Sequence, residues 1–332
     1  MSKKNKEGFE TRAIHAGQKA DPTTGAVMMP IYTSSTFEQE SPGVHKGFDY
    51  SRSINPTRKA FEECIASLEN GEVGFGFSSG VAAISACVEL LAPGDHVIAM
   101  NDLYGGTVRL FNEIKTLSQG IEVTYVDMTD IQNVLDAKTD KTKMIFVETP
   151  TNPLLRVVDL SAIADFSKSE GILSVCDNTF ASPYVQQPLS HGIDIVLHSA
   201  TKYLGGHSDL IAGALVIGKK DEELIARMAN IVNSLGPVTG AFDSYLILRS
   251  LKTLAVRMER HCENAMKVAN FLLKHDNVTW VNYPGLPSSP DYPLVKKLMK
   301  GKASSVMSFG IKGGRDNGAK FIDNLNLSLI HI

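Results

Sequence analysis

A doubly wound α/β fold on a mostly parallel sheet is what this 332-residue chain predicts, and three observations predict it. Short β-branched runs alternate along the chain with stretches of helical period. The runs are unbroken and apolar on both faces, as strands are when helices cover both sides of a sheet. Strand and helix alternate singly, which requires crossover connections and therefore parallel neighbours.

Taken in order, residues 1–50 have weak periodicity and many Thr, Ser, Pro and Gly, so 1–56 reads as an extended arm rather than a domain. From about 57 the pattern changes. Phe61, Ile65 and Leu68 fall on one face of a helix that stops at Asn70-Gly71. HVIAM (96–100), IEVTYV (121–126), KMIFVE (143–148), ILSVCD (172–177) and IDIVLHS (193–199) read as strands, with helices over 80–91, 104–117 and 159–170. This places a large domain at 57–249. A long helical stretch then runs from Ser250 towards His275, with Leu251, Leu254, Val256, Met258 and Ala265 among its apolar residues. YPGLPSSPDYP (283–293) is a loop by composition, followed by a strand, SVMSFGIKG (305–313), and a helix from about 317. Residues 250–332 therefore read as a smaller α+β domain. A fresh apolar run, Leu327 to Ile332, has nothing after it to pair with, so that domain reads as incomplete.

Charge and composition exclude several classes. There are 33 Lys+Arg against 36 Asp+Glu, a net charge of −3, so there is no broad cationic surface for nucleic acid. At 43% hydrophobic and 21% charged the chain is too apolar for disorder. The longest apolar stretch, Val81 to Ala92, carries Glu89 and is too short for a bilayer. The start, MSKKNKEGFE, lacks the apolar core of a secretory signal. Cys64, Cys87, Cys176 and Cys262 lie far apart with no CxxC pair, which points to buried thiols in a reducing cytosol rather than a zinc site or disulfide framework.

Five segments could carry chemistry. In SATKYLGGHSD (199–209), Lys202 follows an apolar strand among Ser199, Thr201 and glycines. A desolvated lysine there can attack a carbonyl, and its small neighbours leave room for a bulky aldehyde with a phosphate; the alternative is a lysine snorkelling from a strand edge. In FGFSSGVAAISA (75–86) a strand runs through Ser78 and Ser79 into a helix beginning at Gly80. Free N–H groups and the positive helix end suit an anion, and the serines either donate or simply cap. Asp177, at the end of SVCD, sits where open α/β sheets bind ligands; otherwise it caps the next turn. Tyr104 opens a helix in DLYGGTVRLF (102–111), where it could stack on a flat ring, and Arg109 could hold a carboxylate; either could be ordinary surface or core. Tyr50 and Arg52 alternate in YSRSINPTR (50–58), so they point the same way, either to bind phosphate or carboxylate or to sit in a solvated loop.

Together these segments resemble the pyridoxal-phosphate-dependent enzymes of cysteine and methionine metabolism. SATKYLGGHSD, YSRSINPTR, ASLENG, DLYGGT, ETPTNPLLRVVDL, CDNTFASPY, NSLGPV, LKTLAVRMERH and YPGLPS follow that family's order, and the likeness runs from residue 11 to 325. It implies the aspartate-aminotransferase type of fold. Its roles fall residue by residue: Lys202 on the cofactor lysine and Asp177 on the acid facing the pyridine nitrogen, with Thr179 beside the ring and Tyr104 stacked on it. Phosphate contacts fall on Gly80 and Val81 N–H, Ser199 and Thr201; Asn152 matches the cofactor-side TNP motif. Arg109 matches an arginine facing the distal end of the substrate, and Tyr50 and Arg52 match residues that reach a neighbouring subunit's site. The expectation is a homotetramer of dimers sharing active sites and acting on a small amino acid, with no nucleic-acid or membrane partner.

Whole segments, notably GFDYSRSINPTR and DLYGGTVR, are most like the branch that performs γ-elimination of cystathionine to cysteine, 2-oxobutanoate and ammonia. The methionine-cleaving branch carries a Cys where Gly106 stands, and the γ-replacement branch shares most of the same motifs. Family chains continue beyond this ending, through a Ser-Leu-Gly segment and an arginine that grips the substrate α-carboxylate. The likeness stops at 326–332 (NLSLIHI), so the expectation is a truncated or mis-spliced product, with an inert cofactor binder as the rival reading.

Overall fold

The computed structural model describes residues 7–218 and 221–325. The elements run α1 (Phe9–His15), β1 (Gln39–Ser41), β2 (Val44–His45), α2 (Pro56–Leu68), β3 (Val73–Phe77), α3 (Gly80–Val88), β4 (His96–Met100) and α4 (Gly105–Arg109). After a π-helical turn, Leu110–Lys115, come α5 (Thr116–Gln119), β5 (Glu122–Val126), α6 (Ile131–Ala137), β6 (Thr142–Glu148), α7 (Leu160–Glu170), β7 (Leu173–Asp177) and α8 (Ser182–Val185). Then follow β8 (Ile195–Ser199), β9 (Gly213–Ile217), α9 (Glu222–Leu235), α10 (Ala241–Leu251) and α11 (Leu254–Leu272). Last are β10 (Val278–Asn282), α12 (Tyr292–Leu298), β11 (Ser308–Ile311) and α13 (Gly314–Asp323).

One sheet of seven strands, ordered β3-β9-β8-β7-β6-β4-β5, forms the centre. Its β4, β5, β6, β7 and β8 pair in parallel, and β9 alone is antiparallel to both its neighbours. Strand alternation sends side chains to two cores. From β8, Ile195 and Leu197 join the core shared with α3 and α9, while Val196 joins the one shared with α2, α10 and α11. The sheet is therefore covered on both faces, and its parallel strands end together along one edge.

Local chemistry sets the helix boundaries. Asn55 caps α2 by accepting from Thr57 N–H at 2.9 Å and Arg58 N–H at 3.2 Å, with Pro56 at the first helical position, where a missing N–H costs nothing. Asp159 caps α7 in the same way, and Gly171 ends it at φ +64°.

Several expectations change. The arm is not wholly extended, since it carries α1, whose Ala13 is buried against α2. The helix expected over 104–117 is interrupted by the π-helical turn. The single stretch expected from Ser250 is two helices, α10 and α11, broken at Lys252-Thr253. The boundary at 249–250 falls inside one core, where Leu248, Leu251 and Leu254 pack with Val295, Leu298 and Ala303. β5 is an edge strand and only partly buried. β9, β10, α9 and α12 lie where the periodicity marks no element. The run Leu327 to Ile332 lies outside the described residues, as do residues 1–6 of the expected leaderless start.

Candidate active site

The C-terminal ends of β6, β7 and β8 and the N-terminus of α3 surround a cavity of about 400 Å³. Its lining includes Gly80, Val81, Tyr104, Asn152, Asp177, Thr179, Ser199, Thr201 and Lys202, nine of the twelve expected site residues.

β8 delivers the lysine. The chain leaves the strand at Ser199 and turns tightly, with Lys202 N–H donating to Ser199 O at 3.2 Å and Gly206 N–H to Lys202 O at 2.7 Å. Gly206 stands at φ +74°, and a Cβ there would meet the Arg257 guanidinium at 2.3 Å, so the turn requires glycine. Sequence reasoning placed Lys202 as a desolvated amine, but its side chain is exposed to the open cavity. No hydrogen bond or ion pair holds its Nζ among the described residues, which leaves the amine free to reach into the space.

The helix start is built for close approach. Ser79 Oγ accepts the Ala82 N–H at 3.1 Å, so this hydroxyl serves as the helix cap. The first-turn N–H groups of Gly80 and Val81 then have no helical partner. A Cβ on Gly80 would lie 2.8 Å from Ser199 Cβ, so glycine lets the helix end abut β8. Thr201 Oγ1 donates to Ala212 O at 3.2 Å and accepts Ala212 N–H at 3.1 Å, pinning the lysine turn to the entry of β9. Its hydroxyl must swing away from Ala212 O to reach a phosphate.

Asp177 ends β7 and is 7% exposed. Thr179 donates to its Oδ1 twice, from N–H at 2.9 Å and Oγ1 at 2.5 Å, and Ser199 N–H donates to Thr179 Oγ1 at 2.8 Å. Burial pushes the Asp177 carboxyl up, while the two Thr179 bonds and the nearby His198 pull it back towards ionisation. Oδ1 is taken by Thr179, and Oδ2 has no hydrogen-bond partner among the described residues.

Glu148 is the residue that sequence reasoning missed. It ends β6 in register with Asp177, is 5% exposed and lines the same cavity. Burial, then the charge of Asp177, push its carboxyl well above the usual carboxylate range. Of the two adjacent acids, Glu148 is the one pushed up more strongly. The signal was available, because KMIFVE ends in an acid just as SVCD does.

Three expected residues lie outside the cavity. Arg109 is exposed at the end of α4. Arg52 stacks over the Tyr50 ring at 5.1 Å and donates to Asn233 Oδ1 at 3.4 Å, in a separate groove beside Gly236. The stretch expected to be extended is a turn, with Ser53 N–H and Ile54 N–H both donating to Tyr50 O at 3.0 Å, so the two side chains meet by stacking rather than by strand alternation, and neither lines the Lys202 cavity of its own chain.

A cavity at the carboxyl edge of a doubly wound sheet, with a lysine, a buried acid for a ring nitrogen and a helix start for an anion, defines a pyridoxal-phosphate enzyme site, and the residues present fit that cofactor. The chain belongs to the Cys/Met metabolism PLP-dependent enzyme family, whose pattern matches residues 10–331. It is 55% identical over 295 residues to a cystathionine beta-lyase of Coxiella burnetii, covering 89% of this chain and 76% of that one. It is 48% identical to a cystathionine gamma-lyase of Dictyostelium discoideum, covering 98% and 84%. A solved cystathionine gamma-lyase from Lactobacillus plantarum, complexed with L-serine, superposes with a TM-score of 0.93 at 45% identity, covering 96% and 82%.

Proposed function

We propose that this chain cleaves cystathionine by γ-elimination, giving cysteine, 2-oxobutanoate and ammonia. The convergence of Lys202, Tyr104, Asp177, Thr179 and the α3 N-terminus on one cavity supports the family's cofactor chemistry, and the 48% identity to a cystathionine gamma-lyase over 98% of this chain supports the γ-elimination. Bound there, pyridoxal phosphate supplies an electron sink that stabilises negative charge at the carbons of the amino acid it holds.

The chain's own residues do the rest. Gly80 and Val81 N–H, Ser199 and Thr201 receive the phosphate, and the positive end of α3 favours its charge. Asp177, held at Oδ1 by Thr179, would pair through Oδ2 with the ring nitrogen. Asn152, also in the cavity lining, would contact the cofactor. Lys202 anchors the cofactor and, once released, takes the Cα proton on Nζ. The Tyr104 ring covers the cofactor face, and its hydroxyl carries a proton to the departing sulfur. Arg109, exposed outside the cavity at the end of α4, would meet only a substrate end that projects beyond it.

Tyr50 and Arg52, exposed and outside their own chain's cavity, serve the site of a neighbouring copy in a tetramer of dimers. The four cysteines are buried and free, which suits a cytosolic setting. Among the described residues no helix is long and apolar enough to cross a membrane.

A second reading, β-elimination, is favoured by the 55% identity to a beta-lyase. One product assay on cystathionine separates them. Cysteine with 2-oxobutanoate supports γ-elimination, homocysteine with pyruvate supports β-elimination, and cystathionine made from cysteine and an activated homoserine supports γ-replacement. Colour without product would mark an inert binder. In Lys202→Ala we expect loss of the visible cofactor band and a fall in rate of about 10²–10⁴-fold; an unchanged band would remove Lys202 from the role. Mixing Lys202→Ala with Arg52→Ala chains is expected to restore activity, and its absence in verified mixed oligomers would count against shared sites.

A further inference from the structure

We propose that Glu148 is a positioning residue for this cavity: its carboxyl group accepts the Tyr104 main-chain N–H, faces the Asn152 N–H, and so holds the aromatic wall and the TNP segment in place beside Asp177. The inference rests on the reading of the Lys202 cavity as the cofactor site.

The geometry is specific. Tyr104 N–H donates to Glu148 Oε2 at 2.9 Å, and the Asn152 N–H also points to this carboxyl group. Tyr104 has no side-chain helix cap, its ring is half-exposed, and it lies on a loop between β4 and α4. Without a fixed main chain, such a ring has no defined plane. Asn152 lies in a loop that a second acid ties to the same β4–α4 connection: Asp102 Oδ2 accepts Thr151 Oγ1 at 2.5 Å and Leu154 N–H at 3.1 Å. Asp102 thus joins the two loops further out, and Glu148 joins them at the cavity wall.

The side-chain length is part of the device. Glu148 sits one strand from Asp177 in register, so its carboxyl must cross from the end of β6 to the Tyr104 backbone. Aspartate in its place falls one methylene short. A glutamine has the same reach and keeps a carbonyl acceptor, and it mimics the neutral acid that burial favours. The part-buried Tyr104 N–H left without an acceptor costs more than its bond contributes when made.

The test is amide hydrogen exchange on the holoenzyme, read at Tyr104 and Asn152, together with the visible circular dichroism of the bound cofactor. In Glu148→Ala and Glu148→Asp we expect both amides to exchange about tenfold faster or more, the rest of the sheet to be unchanged, and the induced dichroism to fall several-fold. Glu148→Gln is expected to keep protection and dichroism near the unsubstituted protein. If the alanine variant does not fold, the aspartate variant gives the same reading. Unchanged exchange at both amides in a folded alanine or aspartate variant overturns the proposal. So does an aspartate variant that behaves normally beside a glutamine variant that does not, since charge rather than reach would then matter. Loss of the cofactor reading is distinguishable, because Lys202→Ala tests it by colour while amide protection reads the clamp directly.

Discussion

The seven-stranded sheet and the two-stranded sheet β10–β11 are both cut from short apolar runs, yet they are built differently. Every residue of β4 is buried, as are all but Lys143 of β6. In β10 the pattern is half-exposed or exposed throughout, and Trp280 is 50% exposed. Around it Phe271 is 63% exposed and Phe321 41%. The difference lies in layering. Helices cover the large sheet on both faces, so the carboxyl edge where its strands end is rigid and can place an acid to within hydrogen-bond distance. Among the described residues the small sheet is tied towards the cavity by single contacts: Asn282 Nδ2 donates to Leu154 O at 3.1 Å, Ser304 donates to Phe180 O, and Tyr203 OH bonds Ser305 Oγ.

Substitutions can break or sharpen this contrast. The largest effect is expected at Phe146, fully buried on β6 with its ring 5.3 Å from Phe111. Phe146→Ala is expected to cost about 3–5 kcal/mol in denaturant unfolding; a cost below ~1 kcal/mol would mean that the sheet is not the rigid half. Next is the buried pair under the site. His198 Nε2 lies 2.6 Å from Glu69 Oε1, which also accepts Asn178 Nδ2 at 3.0 Å. His198→Ala removes one partner of the fully buried Glu69 side chain and is expected to cost about 1–3 kcal/mol, read by thermal unfolding.

A smaller effect appears as pH dependence. The Glu148 carboxyl is raised by folding, so the folded state holds its proton where the unfolded chain releases it, near pH 4.3. Its contribution is full below that pH and is lost as pH rises through the folded-state value. Unfolding free energies measured from pH 4 to 8 should therefore fall more steeply in the unsubstituted protein than in Glu148→Gln. Equal slopes would refute the assignment. The smallest effect is expected at Trp280, whose indole lies across Gly310, where a Cβ would meet Nε1 at 2.1 Å. Trp280→Ala should cost about 0.5–1 kcal/mol and leave the cofactor spectrum unchanged.

The large sheet was legible because its strands obey a simple rule: apolar on both faces, short, and separated by helical period. β9 escaped because IAGALVIG is a brief apolar run between glycines, which periodicity alone does not assign to helix or strand. The α10–α11 break escaped because Lys252-Thr253 interrupts neither apolar face. Lys202 and Asp177 were found by strand-end position and chemistry. Glu148 obeys the same rule, but a second acid beside the first has meaning only once β6 and β7 are known to be neighbours in register.

Local sequence determined the alternation of strands and helices, the caps, the glycine turns and the residue types at the strand ends, because each depends on near neighbours and on side-chain period. Tertiary structure decided which strand ends meet. It drew nine residues, spread from 80 to 202, onto one cavity. It left Arg52 and Tyr50 on another face, and it set two buried acids side by side, with burial pushing both upward and Glu148 the more strongly. Those outcomes depend on strand order and burial, which contacts between distant residues create and no local pattern encodes.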